Sequence, residues 1–191
     1  MRGTGWWPGA RSRVAPELAL ERQPAVVAGG AQGAQRLAAE LSATEVLDPD
    51  ADPPLGVRIR ELNGGSGADV AIELSGSDRA LQGALASVGL GATVVAVGFY
   101  QGGAASLRLG EEFHHNRLTL VGSMGAWGAP HRHAPLWHRG RVMATITRLL
   151  YSDRVSVQGL LDRRFEFADA PAAYRWIDAH PQAAVKVALT Y

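Results

Sequence analysis

The sequence contains no cysteine in 191 residues. That excludes disulfides, iron–sulfur clusters, cysteine-containing zinc sites and a cysteine nucleophile. Charge is also sparse. Charged residues make up 19% of the chain and the formal net charge is +1, so neither a disordered chain nor a basic nucleic-acid surface is expected. No apolar run reaches the roughly 18 residues that a membrane span needs. Residues 1–7 lack the apolar core of a signal peptide. The expectation is a cytoplasmic protein with no membrane and no nucleic-acid partner. Lysine is nearly missing as well: Lys186 stands alone, the other basic side chains are arginines, and this reads as a compositional bias.

What is present is apolar and glycine-rich. The apolar set reaches 47%, with 23 glycines and 10 prolines. The length suits one domain, or one plus a fragment, with a core that needs no covalent staples. Residues 1–24 carry no clear strand, and Pro16 interrupts a weak helical pattern. From Ala25 the text changes. Ala25-Val26-Val27-Ala28 is a short apolar run closed by Gly29-Gly30, and residues 31–41 follow with helical spacing. Residues 45–47 read as a strand, Asp48-Pro49-Asp50 as a turn and residues 57–62 as a helix. Residues 68–74 read as a strand ending at Ser75-Gly76. Residues 78–88 form a helix capped by Ser77 or Asp78. Residues 92–97 and 118–121 are almost wholly apolar strands ending at Gly98 and at Gly122-Ser123. Such runs predict strands buried on both faces, and their alternation with helices predicts an α/β, doubly wound parallel sheet.

The last third reads differently. Residues 125–140 are loop-like. A helix is expected over 141–151 with Val142, Ile146, Leu149 and Leu150 inward. A strand at 163–167, a helix through Tyr174 and Ile177, and a strand at 184–191 complete the chain.

Ligands of open α/β sheets sit beyond the carboxyl ends of the strands. Here those ends repeat small residues: Gly29-Gly30, Ser75-Gly76, Gly98 and Gly122-Ser123. A nucleotide site along this edge is expected. Two registers compete for its phosphate loop. In the first, Ala28-Gly29-Gly30-Ala31-Gln32-Gly33 is a dinucleotide fingerprint whose first glycine is alanine, with helix-start N–H groups for the pyrophosphate and Asp48 for the ribose. In the second, residues 25–28 are already the second strand, and the fingerprint strand lies before them, largely missing. Elsewhere, His131, His133 and His138 form an H-x-H-x4-H cluster able to take an adventitious divalent metal. His114-His115 reads as a helix near the sheet's edge. No Ser–His–Asp arrangement and no P-loop can be argued.

Several segments carry a resemblance. They are Gly67-Ala68-Asp69-Val70-Ala71-Ile72-Glu73-Leu74-Ser75-Gly76, the run Val94-Val95-Ala96-Val97-Gly98-Phe99-Tyr100-Gln101-Gly102-Gly103, and Glu111-Glu112-Phe113-His114-His115-Asn116-Arg117. With the ending from Phe165-Glu166-Phe167 to Tyr191, they resemble medium-chain, zinc-type alcohol dehydrogenases, colinearly over about residues 25–191. The resemblance favours the second register. It implies a Rossmann-like nucleotide-binding domain at 25–154 with an incomplete first βα unit, a degenerate segment at 1–24, and an α+β tail at 155–191 that packs on a catalytic domain not present here. It implies an oxidoreductase moving hydride between an alcohol and NAD or NADP. Zinc is expected for the intact family, with no ligands for it in this chain. Ser75, Gly76, Val97, Gly98, Phe99, Gly122 and Ser123 would line the nicotinamide side, and Lys186 would reach the pyrophosphate. Gly29 or Gly30 stands where NAD-binding members carry an acidic residue, so Arg36 is free to pair with a 2′-phosphate. Gly3, Thr4, Gly5 and Gly9 are at most remnants of a glycine loop. Phe165, Phe167, Tyr174, Trp176 and Val187 are expected to expose apolar surface and drive association. Partners are then a dinucleotide, a second copy, or a separate catalytic-domain chain. The alternative is a non-catalytic, truncated dinucleotide-binding or dimerisation module.

Overall fold

The computed structural model describes residues 25–41, 43–51, 53–125 and 136–191. Seven strands and six α-helices run in the order β1 (Val26–Ala28), α1 (Gln32–Glu40), β2 (Glu45–Leu47), α2 (Leu55–Leu62), β3 (Ala68–Glu73), α3 (Asp78–Ser87), β4 (Val88–Ala96), α4 (Glu112–His115), β5 (Thr119–Gly122), α5 (Arg139–Tyr151), β6 (Arg163–Glu166), α6 (Ala170–Ala179) and β7 (Val187–Thr190). Every strand pair is parallel. This is the α/β architecture that the alternating apolar runs predict.

Among the described residues the strands form three groups, β1-β2, β3-β4-β5 and β6-β7. In the doubly wound order 3-2-1-4-5-6, strand 1 is the neighbour of both strand 2 and strand 4. A β1 in that first place would pair with β3 as well as β2. It pairs with β2 alone, through Val26↔Glu45 and Ala28↔Leu47. The second register therefore describes the chain: β1 and β2 are the second and third strands, and the break falls where the first would lie.

The core is built around α3 and β4. Leu81 and Leu85 of α3 meet Val88, Ala92 and Val94 of β4 and Leu118 before β5. Leu85, Val88 and Val94 are fully buried, each worth about 1.5–3 kcal/mol of transfer free energy. Ser77 begins α3, its hydroxyl accepting from the Ala80 N–H at 3.4 Å. The chain leaves α3 directly into extended backbone at Val88, so β4 starts four residues earlier than the apolar run suggests. It pairs with β3 through a register shift between Ala68 and Val70. Gly56 lets α2 approach the Ala86 carbonyl of α3, where a Cβ would meet oxygen at 2.7 Å.

Two expectations about burial need correction. The strands are not buried on both faces. Ala71, Val94 and Ala96 pack toward α3, but Val70 and Ile72 on the opposite face of β3 are 55% and 60% exposed. That face has no covering helix among the described residues. The helix α5 forms on its apolar periodicity, yet it buries no residue, and Ile146 and Leu150 are exposed. In the tail, β6 and β7 pair along four residues. Phe165 packs near Trp176, Arg163 lies over the Trp176 ring at 4.5 Å, and Phe167 stacks on Tyr191 at 4.7 Å. Of the five residues expected to expose apolar surface, Phe167 and Tyr174 do so, while Phe165, Trp176 and Val187 are half-buried.

Candidate functional site at the strand ends

The carboxyl ends of β3, β4 and β5 fall in one row, because Glu73 pairs with Ala96 and Ala96 with Gly122. The row brings Ser75-Gly76, Val97-Gly98-Phe99 and Gly122-Ser123 together. Glu73 organises it. Its carboxylate is buried at the carboxyl end of β3. It accepts hydrogen bonds from the Ser75 N–H at 2.6 Å, the Gly76 N–H at 3.2 Å, the Ser75 hydroxyl and the Tyr100 hydroxyl. Its carbonyl accepts from Val97 and Gly98 at 2.8 and 3.1 Å. One residue thus ties the loop after β3 to the loop after β4.

The electrostatics follow from these contacts. Burial pushes the Glu73 carboxyl up, but the hydrogen bonds from Ser75, Tyr100 and Gly76 together outweigh it and hold the group below the usual carboxylate range. Burial, the Glu73 hydrogen bond and the Glu73 charge all push the Tyr100 phenol above its ordinary value. Asp78, at the start of α3, is lowered by the Ser106 N–H, which donates to it at 2.8 Å. Glu73 and Tyr100 were visible in the sequence only as letters within longer motifs. The usable signal was a carboxylate closing the Val70-Ala71-Ile72 run, which must find partners if it is buried.

The small residues at the strand ends do different jobs. A Cβ on Gly98 would lie 2.2 Å from the Gly76 nitrogen, and one on Gly76, at φ +74°, would lie 2.7 Å from the Phe99 carbonyl oxygen. These two glycines allow backbone to touch backbone. Gly29, Gly30 and Gly122 have open space where a Cβ would be. The N–H groups of Ser75, Gly76, Val97, Gly98 and Ser123 are all donated within the protein. The row therefore offers a ligand carbonyl oxygens, hydroxyls and the exposed Phe99 ring.

The remaining predicted residues lie apart from this row. Gly29 and Gly30 follow β1, in the other sheet. Arg36 on α1 pairs with Glu40 at 3.7 Å, both side chains being exposed. Lys186 precedes β7, and its carbonyl accepts from the Asp162 N–H at 2.9 Å. The start of α1 is covered: the Gly33 N–H donates to the Gln182 carbonyl at 2.9 Å. A pyrophosphate held there, as the first register requires, would compete with that bond. Asp48 instead accepts from Asp50 N–H in its own turn. His138 caps α5, its Nδ1 accepting from Arg141 N–H at 3.4 Å, while His131 and His133 lie outside the described residues. Two concavities, one between Leu37, Glu40 and Gly159 and one between Arg79, Gln82 and Glu111, include no strand-end residue.

Parallel strands alternating with helices, their carboxyl ends in one row, define an α/β protein of the doubly wound class. Comparison with known proteins narrows the class. Residues 23–137 match the model of the zinc-binding dehydrogenase family, and the chain belongs to that family. It is similar to D-guloside 3-dehydrogenase of Escherichia coli (strain K12), with 34% identity over 186 residues, covering 96% of this chain and 53% of that protein. It is also similar to L-threonine 3-dehydrogenase of Pyrococcus furiosus, with 24% identity, covering 87% of this chain and 44% of that protein. The chain therefore spans about half the length of these curated relatives. Among solved structures, an alcohol dehydrogenase from E. coli CFT073 complexed with NADH superposes with a TM-score of 0.69 at 16% identity, over 88% of this chain and 45% of that one. L-Idonate 5-dehydrogenase of E. coli K-12 gives 0.66 at 21% identity, over 88% and 43%. The chain corresponds to the nucleotide-binding portion of a zinc-type dehydrogenase.

The described residues fit the two family cofactors unequally. The open backbone at Gly122 and the fixed loops at Gly76 and Gly98 suit a flat ring and its ribose. No group of three or more His, Cys, Asp or Glu side chains able to hold a metal occurs among the described residues. No helix among them is long and apolar enough to cross a membrane.

Proposed function

We propose that this chain places a nicotinamide dinucleotide for hydride transfer to or from an alcohol carbon, in a cytoplasmic oxidoreductase whose substrate pocket and metal lie in another part. The observation that carries it is the row of three strand ends fixed by Glu73. Ser75, Gly76, Val97, Gly98, Phe99, Gly122 and Ser123 form the nicotinamide side. The nicotinamide supplies the hydride chemistry when bound. The protein's part is to orient the ring: Tyr100 and Glu73 hold the loops, and carbonyl oxygens of the row accept from the ring's carboxamide.

On the adenosine side, Gly29, Gly30 and Arg36 leave the choice between NAD and NADP to one cation. Arg36 turns from Glu40 toward a 2′-phosphate at little expense, because exposed ion pairs are worth only about 0.2–1 kcal/mol. Lys186 is proposed as the pyrophosphate cation. Fluorescence titration with NADH and NADPH tests the reading. Binding of both is expected, with Arg36→Ala weakening NADPH selectively. Absence of binding by either would overturn it. The second reading, a non-catalytic dinucleotide-binding or dimerisation module, is favoured by the break in the sheet. It predicts binding without turnover even when zinc and an alcohol are supplied.

A further inference from the structure

Glu73 brings a charge to the strand-end row without a counterion. The segments that build the row, residues 68–77, 92–107 and 118–125, contain no lysine, arginine or histidine. Their two acidic residues are Asp69 and Glu73, and Asp69 stands toward the opposite end of β3. All four donors to the Glu73 carboxylate are neutral: the Ser75 and Gly76 N–H groups and the Ser75 and Tyr100 hydroxyls. They keep it ionised at neutral pH but leave its net charge in place. The ion pairs among the described residues, Arg36–Glu40, Arg58–Glu61, Arg79–Asp50 and Arg108–Glu111, do not include it. The next ionisable group along the chain, Asp78, is also an acid, and accepts from the Ser106 N–H. The carboxylate lies against the row itself: a Cβ on Gly98 would stand 2.9 Å from its Oε2. A buried charge acts through a lower effective dielectric than water, so it is felt several ångströms away.

We propose that Glu73 sets the redox preference of the bound cofactor: its uncompensated charge attracts the oxidised nicotinamide, a pyridinium cation, more strongly than the reduced, uncharged ring. The two forms of the dinucleotide differ by one unit of charge, and that unit is on the ring. The adenosine, the riboses and the pyrophosphate are the same in both. A negative field beside the ring therefore discriminates between the redox states, and a ligand without the ring does not feel it. Glu73 acts here through its field, in addition to tying the two loops together. Tighter binding of the oxidised form lowers the potential of the bound pair, by ~30 mV for a tenfold preference. The bound reduced ring is then the stronger hydride donor. This preference rests on the proposed placement of the nicotinamide at the row.

The test compares the dissociation constants of NAD⁺, NADH and ADP-ribose, which lacks the ring, by calorimetry on the full chain and two variants. Circular dichroism first shows that each variant is folded. The wild type is expected to bind NAD⁺ on the order of fivefold more tightly than NADH. Glu73→Gln is expected to move that ratio toward NADH by about the same factor, with the affinity for ADP-ribose unchanged. Tyr100→Phe removes a loop contact and keeps the charge. It is expected to leave the ratio as in the wild type, even where both affinities fall. A purely structural role for Glu73 would move NAD⁺ and NADH together in Glu73→Gln, which would overturn the proposal and leave the placement of the cofactor intact. A wild type that binds NADH as tightly as NAD⁺, or more tightly, would overturn it without any variant. So would an equal shift of the ratio by Tyr100→Phe, which would assign the effect to loop geometry. Binding of neither dinucleotide would overturn the placement and the preference together.

Discussion

At the scale of single residues, Glu73 decides most about the site. Its carboxyl ionises more readily in the folded protein than in the unfolded chain. Its contribution is therefore present above the ordinary carboxylate pKa and fades as pH falls through the lowered value. Tyr100 has the opposite sign: its raised phenol stabilises below the ordinary phenol pKa, and that part is lost as pH rises through the folded value. Glu73→Gln puts an amide NH2 among groups that donate, and is expected to lower stability by about 1–3 kcal/mol at neutral pH. Its urea midpoint should also vary less with pH on the acid side than that of the wild type. Parallel acid limbs for the two proteins would refute this role. Glu73 and its partner Tyr100 were the part of the site least legible in the sequence. Gly76 and Gly98 announced themselves as strand-end glycines, but a carboxylate's value depends on what folding brings to it, and Tyr100 lies 27 residues away.

At the scale of elements, the helices separate by what they bury. Leu81 and Leu85 of α3 are in the core, whereas no residue of α5 is buried. Leu85→Ala is expected to cost about 2–5 kcal/mol, and Ile146→Ala on α5 less than about 1 kcal/mol, both read from denaturant midpoints. Both helices show apolar residues at helical spacing, and that spacing correctly located them. It could not tell which face would meet a partner. The strand ends illustrate the same limit: β2 was legible to the residue, because Asp48-Pro49 closes it. The start of β4 was not, because Gly89 and Gly91 look like a loop; the strand runs through them, with Gly91 at φ +72° where the pairing register shifts.

At the scale of the whole molecule, the strand groups differ in their support. The group β3-β4-β5 surrounds the core, and β1-β2 and β6-β7 each rest on one short pairing. Native-state hydrogen exchange is expected to be slowest for Val94 and its β3 and β5 neighbours, and faster by at least about tenfold in β1-β2 and β6-β7. Uniform protection would show a single cooperative unit. The parallel architecture was legible from apolar runs punctuated by glycine. The separation of β1-β2 from β3-β4-β5 among the described residues was legible only in part, through the competing registers of Gly29-Gly30.

The strand order also sets how the chain assembles itself. Among the described residues each strand pairs only with strands adjacent to it in sequence, so none of these pairings waits for distant segments to meet. Loop-closure entropy is then modest at every step, and low contact order favours rapid folding. In a complete sheet the central strand comes first in sequence yet must join partners on both sides, one of them beyond two further strands. For the described strands that step does not arise, and each group can form as soon as the segment crossing between its strands is in place.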